Sequence, residues 1–176
     1  MRFGSTTTGA VIGVPCLALL VYLEIIPFLM SAGGGPTQEL AAEMTTSERF
    51  DYLGALFASL PDWVKVWMKF QDIVIAASLL FVLWHREAQV YALGIIMSHV
   101  FFFASIPLVP AAAISLDLAA LSHWLWIPTL VVLIRAWPGM DKRSGYGAWC
   151  TVAIAQLVFS LSFDIPDGIQ FFLALV

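Results

Sequence analysis

Apolar and polar residues are segregated along this chain into long blocks. Runs rich in Val, Ile, Leu, Phe and Ala cover residues 9–31, 64–84, 89–109, 117–137 and 146–164, and most charges fall between them or at their edges. A bilayer core takes about 20 mostly apolar residues in a helix, so each run is long enough to span. The pattern predicts an all-α fold: a polytopic transmembrane bundle of five helices, forming a single integral membrane domain over 1–176. The boundary between the second and third runs rests on His85-Arg86-Glu87-Ala88. The stretch from Ile73 to Val109 is too long for one span. An unbroken helix would drag Arg86 and Glu87 through hydrocarbon, whereas a helical hairpin keeps them in water.

The longest polar interval, 33–62, reads as an external loop. Gly33-Gly34-Gly35-Pro36 ends the first helix. Thr45-x-x-Glu48 is a capping-box pattern, and Phe50, Leu53, Phe57 and Leu60 follow at spacings of three and four. These positions predict a short amphipathic helix lying on the outer face as a lid. Trp63, Lys65, Trp67 and Lys69 form an interfacial anchor leading into the second span. At the other terminus, Asp164-Ile-Pro-Asp167-Gly168 predicts a turn, after which the apolar tail from Ile169, too short to span, folds back on the interface or on another subunit.

Composition fits this picture. Of 176 residues, 61% are hydrophobic and 11% charged, against roughly 25% charged in soluble domains. Too few charges remain to cover a water-soluble surface, so the natural partner of that surface is the lipid bilayer. The net charge of −4 excludes the basic footprint of a nucleic-acid binder. Cys16 and Cys150 lie inside apolar runs and make neither a disulfide framework nor a zinc pattern. The apolar stretch from Thr8 to Ala32 exceeds a signal-peptide core, which predicts a retained first helix. The positive-inside rule then places the N-terminus in the cytoplasm, with Arg2, Arg86, Arg135, Lys142 and Arg143 inside, and the C-terminus outside the cell.

Ionisable residues within spans are costly, and each is a candidate for function. Five stand out: Glu24, Asp72, His99, His123 and Asp164, all at the outer half or near the midplane. Glu24 precedes Pro27, whose ring leaves the carbonyl of Leu23 without its helical donor. Asp72 follows Lys69 at helical spacing, the pattern of a local ion pair. His99 and His123 lie on consecutive antiparallel helices at similar depth, so both are candidates to ligate a metal or haem iron, to pass protons, or to hydrogen-bond between helices. Asp164, with Asp167, is a candidate cation ligand or part of a solvated turn. No phosphate loop, nucleophile elbow or zinc-protease motif is present, and no cofactor is required by the sequence.

Three stretches, Trp84-His85-Arg86-Glu87-Ala88, Ser122-His123-Trp124-Leu125-Trp126-Ile127-Pro128 and Ser160-Leu161-Ser162-Phe163-Asp164-Ile165-Pro166-Asp167, resemble a group of small multi-pass bacterial inner-membrane proteins with no assigned activity. The resemblance covers helices two to five and implies an inner-membrane setting. The tryptophan–proline spacing of the five-helix translocator fold is missing. Three functions remain open: a small-molecule binding or transport-related protein with an outward-facing polar cavity, an accessory subunit of a larger membrane complex or homo-oligomer, and a membrane enzyme or redox subunit with a histidine-bound metal or haem.

Overall fold

The computed structural model describes residues 44–109 and 114–174. Among these, the regular elements are helical: α1 (Thr46–Ser59), α2 (Asp62–Ser78), α3 (Arg86–Ser105), α4 (Leu116–Ser122), α5 (Trp126–Ala136) and α6 (Gly145–Ala174). Short 3-10 turns at His123–Leu125 and Trp137–Gly139 join α4 to α5 and end α5. Three stretches are long and apolar enough to cross a membrane: Arg86–Ser105, Leu116–Gly139 and Gly145–Leu173. The expected first span, with Glu24 and Cys16, lies outside the described residues.

The helices α2, α3, α4–α5 and α6 run alternately up and down. One end carries the connections 79–85 and 140–144 and is called the turn end; the other carries α1 and is called the lid end. At the lid end, Thr45 and Glu48 complete the capping box, the Thr45 backbone N–H donating to the Glu48 carboxylate at 2.7 Å. Leu53 of α1 then packs with Phe102, Ile106, Leu118 and Phe171, which come from the ends of the other helices. Arg49 fastens this lid. Its Nη1 donates to the carbonyls of Ile106 (2.9 Å) and Val109 (2.6 Å), and its Nε donates to that of Met44 (3.2 Å). Carbonyls past a helix C-terminus have no partner within the helix and attract a cation, so one guanidinium both satisfies them and docks α1.

Helix α2 is shorter than the expected span 64–84. It stops as an α-helix at Ser78 after 17 residues, and Asp62, Lys65, Lys69 and Asp72 occupy its first three turns. Tighter turns carry the chain on, with Leu79, Leu80 and Phe81 N–H groups bonding to Ala76, Ala77 and Ser78 carbonyls. Side chains cover carbonyls near that change: Trp149 Nε1 donates to Val74 O at 3.1 Å, and Gln89 Nε2 donates to Val82 O at 2.9 Å. The turn therefore falls before Arg86, not across 85–88. His85 is the extended N-cap residue, and Glu87 sits in the first turn of α3, where the helix dipole favours an anion.

The C-terminal turn and folded-back tail are corrected by the structure: α6 runs unbroken for 30 residues with Pro166 inside it. Proline removes one helical donor and crowds the preceding turn. Here Pro166 is exposed and so stays off the packed side. Beyond it, Gly168 and Phe171 are buried and hold the last turns against the other helices. Gly168 is required by contact: a Cβ there would lie 2.6 Å from the indole nitrogen of Trp124.

A seam of small residues joins α3 to the α4–α5 path. Ser98 Oγ lies 3.4 Å from Ser122 Oγ. The Ser122 hydroxyl already donates to Ala119 O at 2.6 Å, so Ser98 is the donor. One helical turn along, Gly94 faces Thr129, and a Cβ on Gly94 would clash with Thr129 Oγ1. Small residues of this kind let membrane helices approach closely. Gly94→Ala is expected to destabilise the protein by about 1–3 kcal/mol through overpacking. Adding Thr129→Ala removes the clashing oxygen and should recover most of that loss. Thermal melts of the single and double variants in detergent check the coupling, and additive effects would contradict it.

Candidate functional site

The packed face of α6 carries polar side chains at 146, 149, 156, 160 and 164, separated by three, seven, four and four residues, as one helical face requires. Each meets a partner on another element. Tyr146 donates its hydroxyl to Glu87 of α3 at 2.8 Å. Trp149 reaches the Val74 carbonyl of α2. Gln156 Oε1 accepts from the Tyr91 hydroxyl of α3 at 2.8 Å, with both residues fully buried. Ser160 Oγ accepts from Gln71 and Trp67 of α2. Asp164 Oδ2 lies 2.9 Å from His123 Nδ1.

The last contact joins two sequence candidates. His123 opens the 3-10 turn between α4 and α5, and its side chain is 26% exposed, against 17% for Asp164. The imidazole stacks on Trp126, with ring centres 4.0 Å apart and planes 20° apart. The neighbouring Trp124 donates Nε1 to the Asp164 backbone carbonyl at 3.2 Å. Carboxylate and carbonyl of one residue thus hold two consecutive side chains of the turn. With Asp164 ionised, Nδ1 must carry the proton. That leaves Nε2 of a neutral His123 as an acceptor whose ring plane is fixed by the Trp126 stack. Such an arrangement can hold a polar ligand or take up and return a proton.

Of the other candidates, His99 lies on α3 and Asp72 on α2, and Glu24 falls outside the described residues. His99 Nδ1 is 2.8 Å from the carbonyl of Ile95, one turn back on its own helix, and its ring centre lies 6.3 Å from that of Phe103. Asp72 is exposed on α2. Among the described residues no three His, Cys, Asp or Glu side chains gather to hold a metal ion. A surface groove between α5 and α6, lined by Ile127, Val131, Val158 and Ile165 among others, is apolar. No family model matches the chain, and neither a curated protein nor a solved structure matches it.

The sequence reading missed Tyr91, Gln156, Glu87 and Tyr146, having searched for charged groups and histidines within spans. The spacing of Tyr146, Trp149, Gln156, Ser160 and Asp164 was the available signal. At the turn end, His85 stacks on Tyr146 with ring centres 3.6 Å apart. Burial there pushes the His85 imidazole below its ordinary value of 6.5, and the Glu87 carboxylate only partly opposes that.

A histidine that binds its proton less readily when folded favours the unfolded chain in acid. The His85 contribution is therefore complete above pH 6.5 and is lost as pH falls from there through the lower folded value. Melting temperature in detergent should drop across this interval. His85→Phe, which keeps a ring against Tyr146, should flatten the slope, and an unchanged slope would assign it to other groups.

Proposed function

We propose that this chain is a five-span protein of the bacterial inner membrane that binds a small molecule at a polar site opening to the outer side, with His123 and Asp164 at its centre. The observation that carries this reading is the coincidence of an acid–imidazole pair with a 3-10 turn on the histidine side and an in-helix proline on the acid side. His123 begins a 3-10 turn within a membrane-length stretch, and Asp164 stands two residues before Pro166 in α6. Irregular turns inside long helices recur at functional positions, and discontinuous membrane helices often line binding sites in transporters. A carboxylate–imidazole pair also supplies the two things a polar ligand needs in an apolar surrounding: a fixed donor–acceptor geometry and a charge that can be neutralised by a proton. The lid helix α1 packs at the same end, through Leu118 and Phe171, one to two turns beyond His123 and Asp164.

The test is chemical. Protein purified in mild detergent is extracted with organic solvent and the extract is analysed by mass spectrometry. A compound near one equivalent is expected in the native protein. Asp164→Asn and His123→Gln should each deplete it about tenfold, the effect of losing one hydrogen bond to a charged group. Both variants should keep their helical circular dichroism, because Asn can still accept from Nδ1. Equal recovery from all three proteins would sink the reading.

A further inference from the structure

Two donors in the packed interior have nothing to receive their hydrogens: the indole Nε1 of Trp126 and the amide Nε2 of Gln156. The residues are 2% and 1% exposed. Native proteins avoid such orphans, and each one calls for an explanation. Turning over the Gln156 amide does not remove the problem. Nε2 would then meet the Tyr91 oxygen, but Oε1 would lose its donor, so a buried polar atom of Gln156 would still stand unanswered. Trp126 has a single N–H, and its ring plane is set by the stack on His123.

The two orphans lie on the same side of the His123–Asp164 level. Trp126 is three residues from His123 toward the turn end, and Gln156 is eight residues from Asp164 in the same direction. At the 3-10 rise for His123–Leu125 and the α-helical rise for α6 these offsets are about 6 and 12 Å, leaving about 6 Å between them along the axis. Two long side chains and one or two oxygen atoms at hydrogen-bond distance span such a gap. The neighbouring Ser160 Oγ already accepts from both Gln71 and Trp67, so its lone pairs are taken.

We propose that the interior flanked by α3, α5 and α6 receives a guest with a hydrogen-bond-accepting oxygen, held by Trp126 Nε1 and Gln156 Nε2 beside the His123–Asp164 pair. The guest's oxygen is that of water or of a small carbonyl or carboxylate compound. An ammonium or another pure donor is the wrong partner for two N–H groups. The inference rests on the site being a ligand site and adds the chemistry of what it takes.

Indole-15N tryptophan spectra of the full chain in detergent test it, with the Trp126 resonance assigned by its loss in Trp126→Phe. The expected Hε1 signal lies downfield, in the hydrogen-bonded range, and moves upfield in Gln156→Leu. Gln156→Met, closer in volume, repeats the measurement if the leucine variant fails to fold. A cross-peak from Hε1 to water supports the proposal with water as guest. A bonded signal without that cross-peak, lost after exhaustive detergent washing, supports a carbonyl or carboxylate guest. An upfield, unbonded signal in every preparation overturns it, and so does a bonded signal indifferent to both Gln156 variants. A co-purifying compound depleted in Asp164→Asn alongside an unbonded Trp126 overturns this inference alone. A bonded Trp126 with a water cross-peak and no such compound keeps it and removes only the ligand reading.

Discussion

A membrane-length helix has no water along its length to satisfy polar side chains, so each such group needs a partner inside the protein. Helix α6 meets this constraint along one face, and the rest of the described structure is arranged around it. From Tyr146 to Asp164 its polar groups engage, in turn, α3, α2, α3 again, α2 again and the 3-10 turn before α5. Between these contacts Ala153, Leu157 and Leu161 are buried in the larger apolar cluster. Dispersion holds helices together in lipid but distinguishes poorly among rotations and slides. Polar contacts at fixed spacing do distinguish, because a shift of one residue breaks all of them together. α6 therefore acts as the ruler that sets the register of its neighbours.

The same constraint accounts for the irregularities. A turn that departs from the α-helix changes which backbone groups are bonded, and side chains nearby must make up the difference. Near the end of α2, Trp149 and Gln89 bond to carbonyls. At the end of α3, Arg49 does so. Each departure thus has a long side chain from another segment beside it, which ties local backbone geometry to tertiary packing.

The membrane-length helices were legible in the sequence because hydrophobic length is read directly, and so was α1, because Thr45 and Glu48 form a local capping pattern. The end of the chain was misread because Asp164, Pro166 and Gly168 are turn residues by local preference. Here Pro166 faces away from the packed side and Gly168 makes room for Trp124, so tertiary contact overrides that preference. His123 and Asp164 were legible as costly residues within spans, but not as a pair, since 41 positions separate them. Gln156 and Tyr91 passed unnoticed because neither is charged, although an uncharged amide in a packed apolar interior is also costly when unpaired. Arg49 falls within the interval read as an external loop; its role depends on where α3 ends, which local sequence does not mark.

The His123–Asp164 pair ties α6 to the turn before α5. If its purpose were stability alone, two apolar side chains of similar volume would do as well, since a buried ion pair is weak support once desolvation is counted. The surrounding residues already supply apolar contact: His123 lies on Trp126, and Trp124 lies against Gly168 and Phe172. With Asp164 ionised, the pair adds an imidazole whose Nδ1 carries the proton and whose Nε2 is an acceptor. Apolar packing alone leaves the donors of Trp126 and Gln156 unanswered, and a buried polar group without a partner is costly.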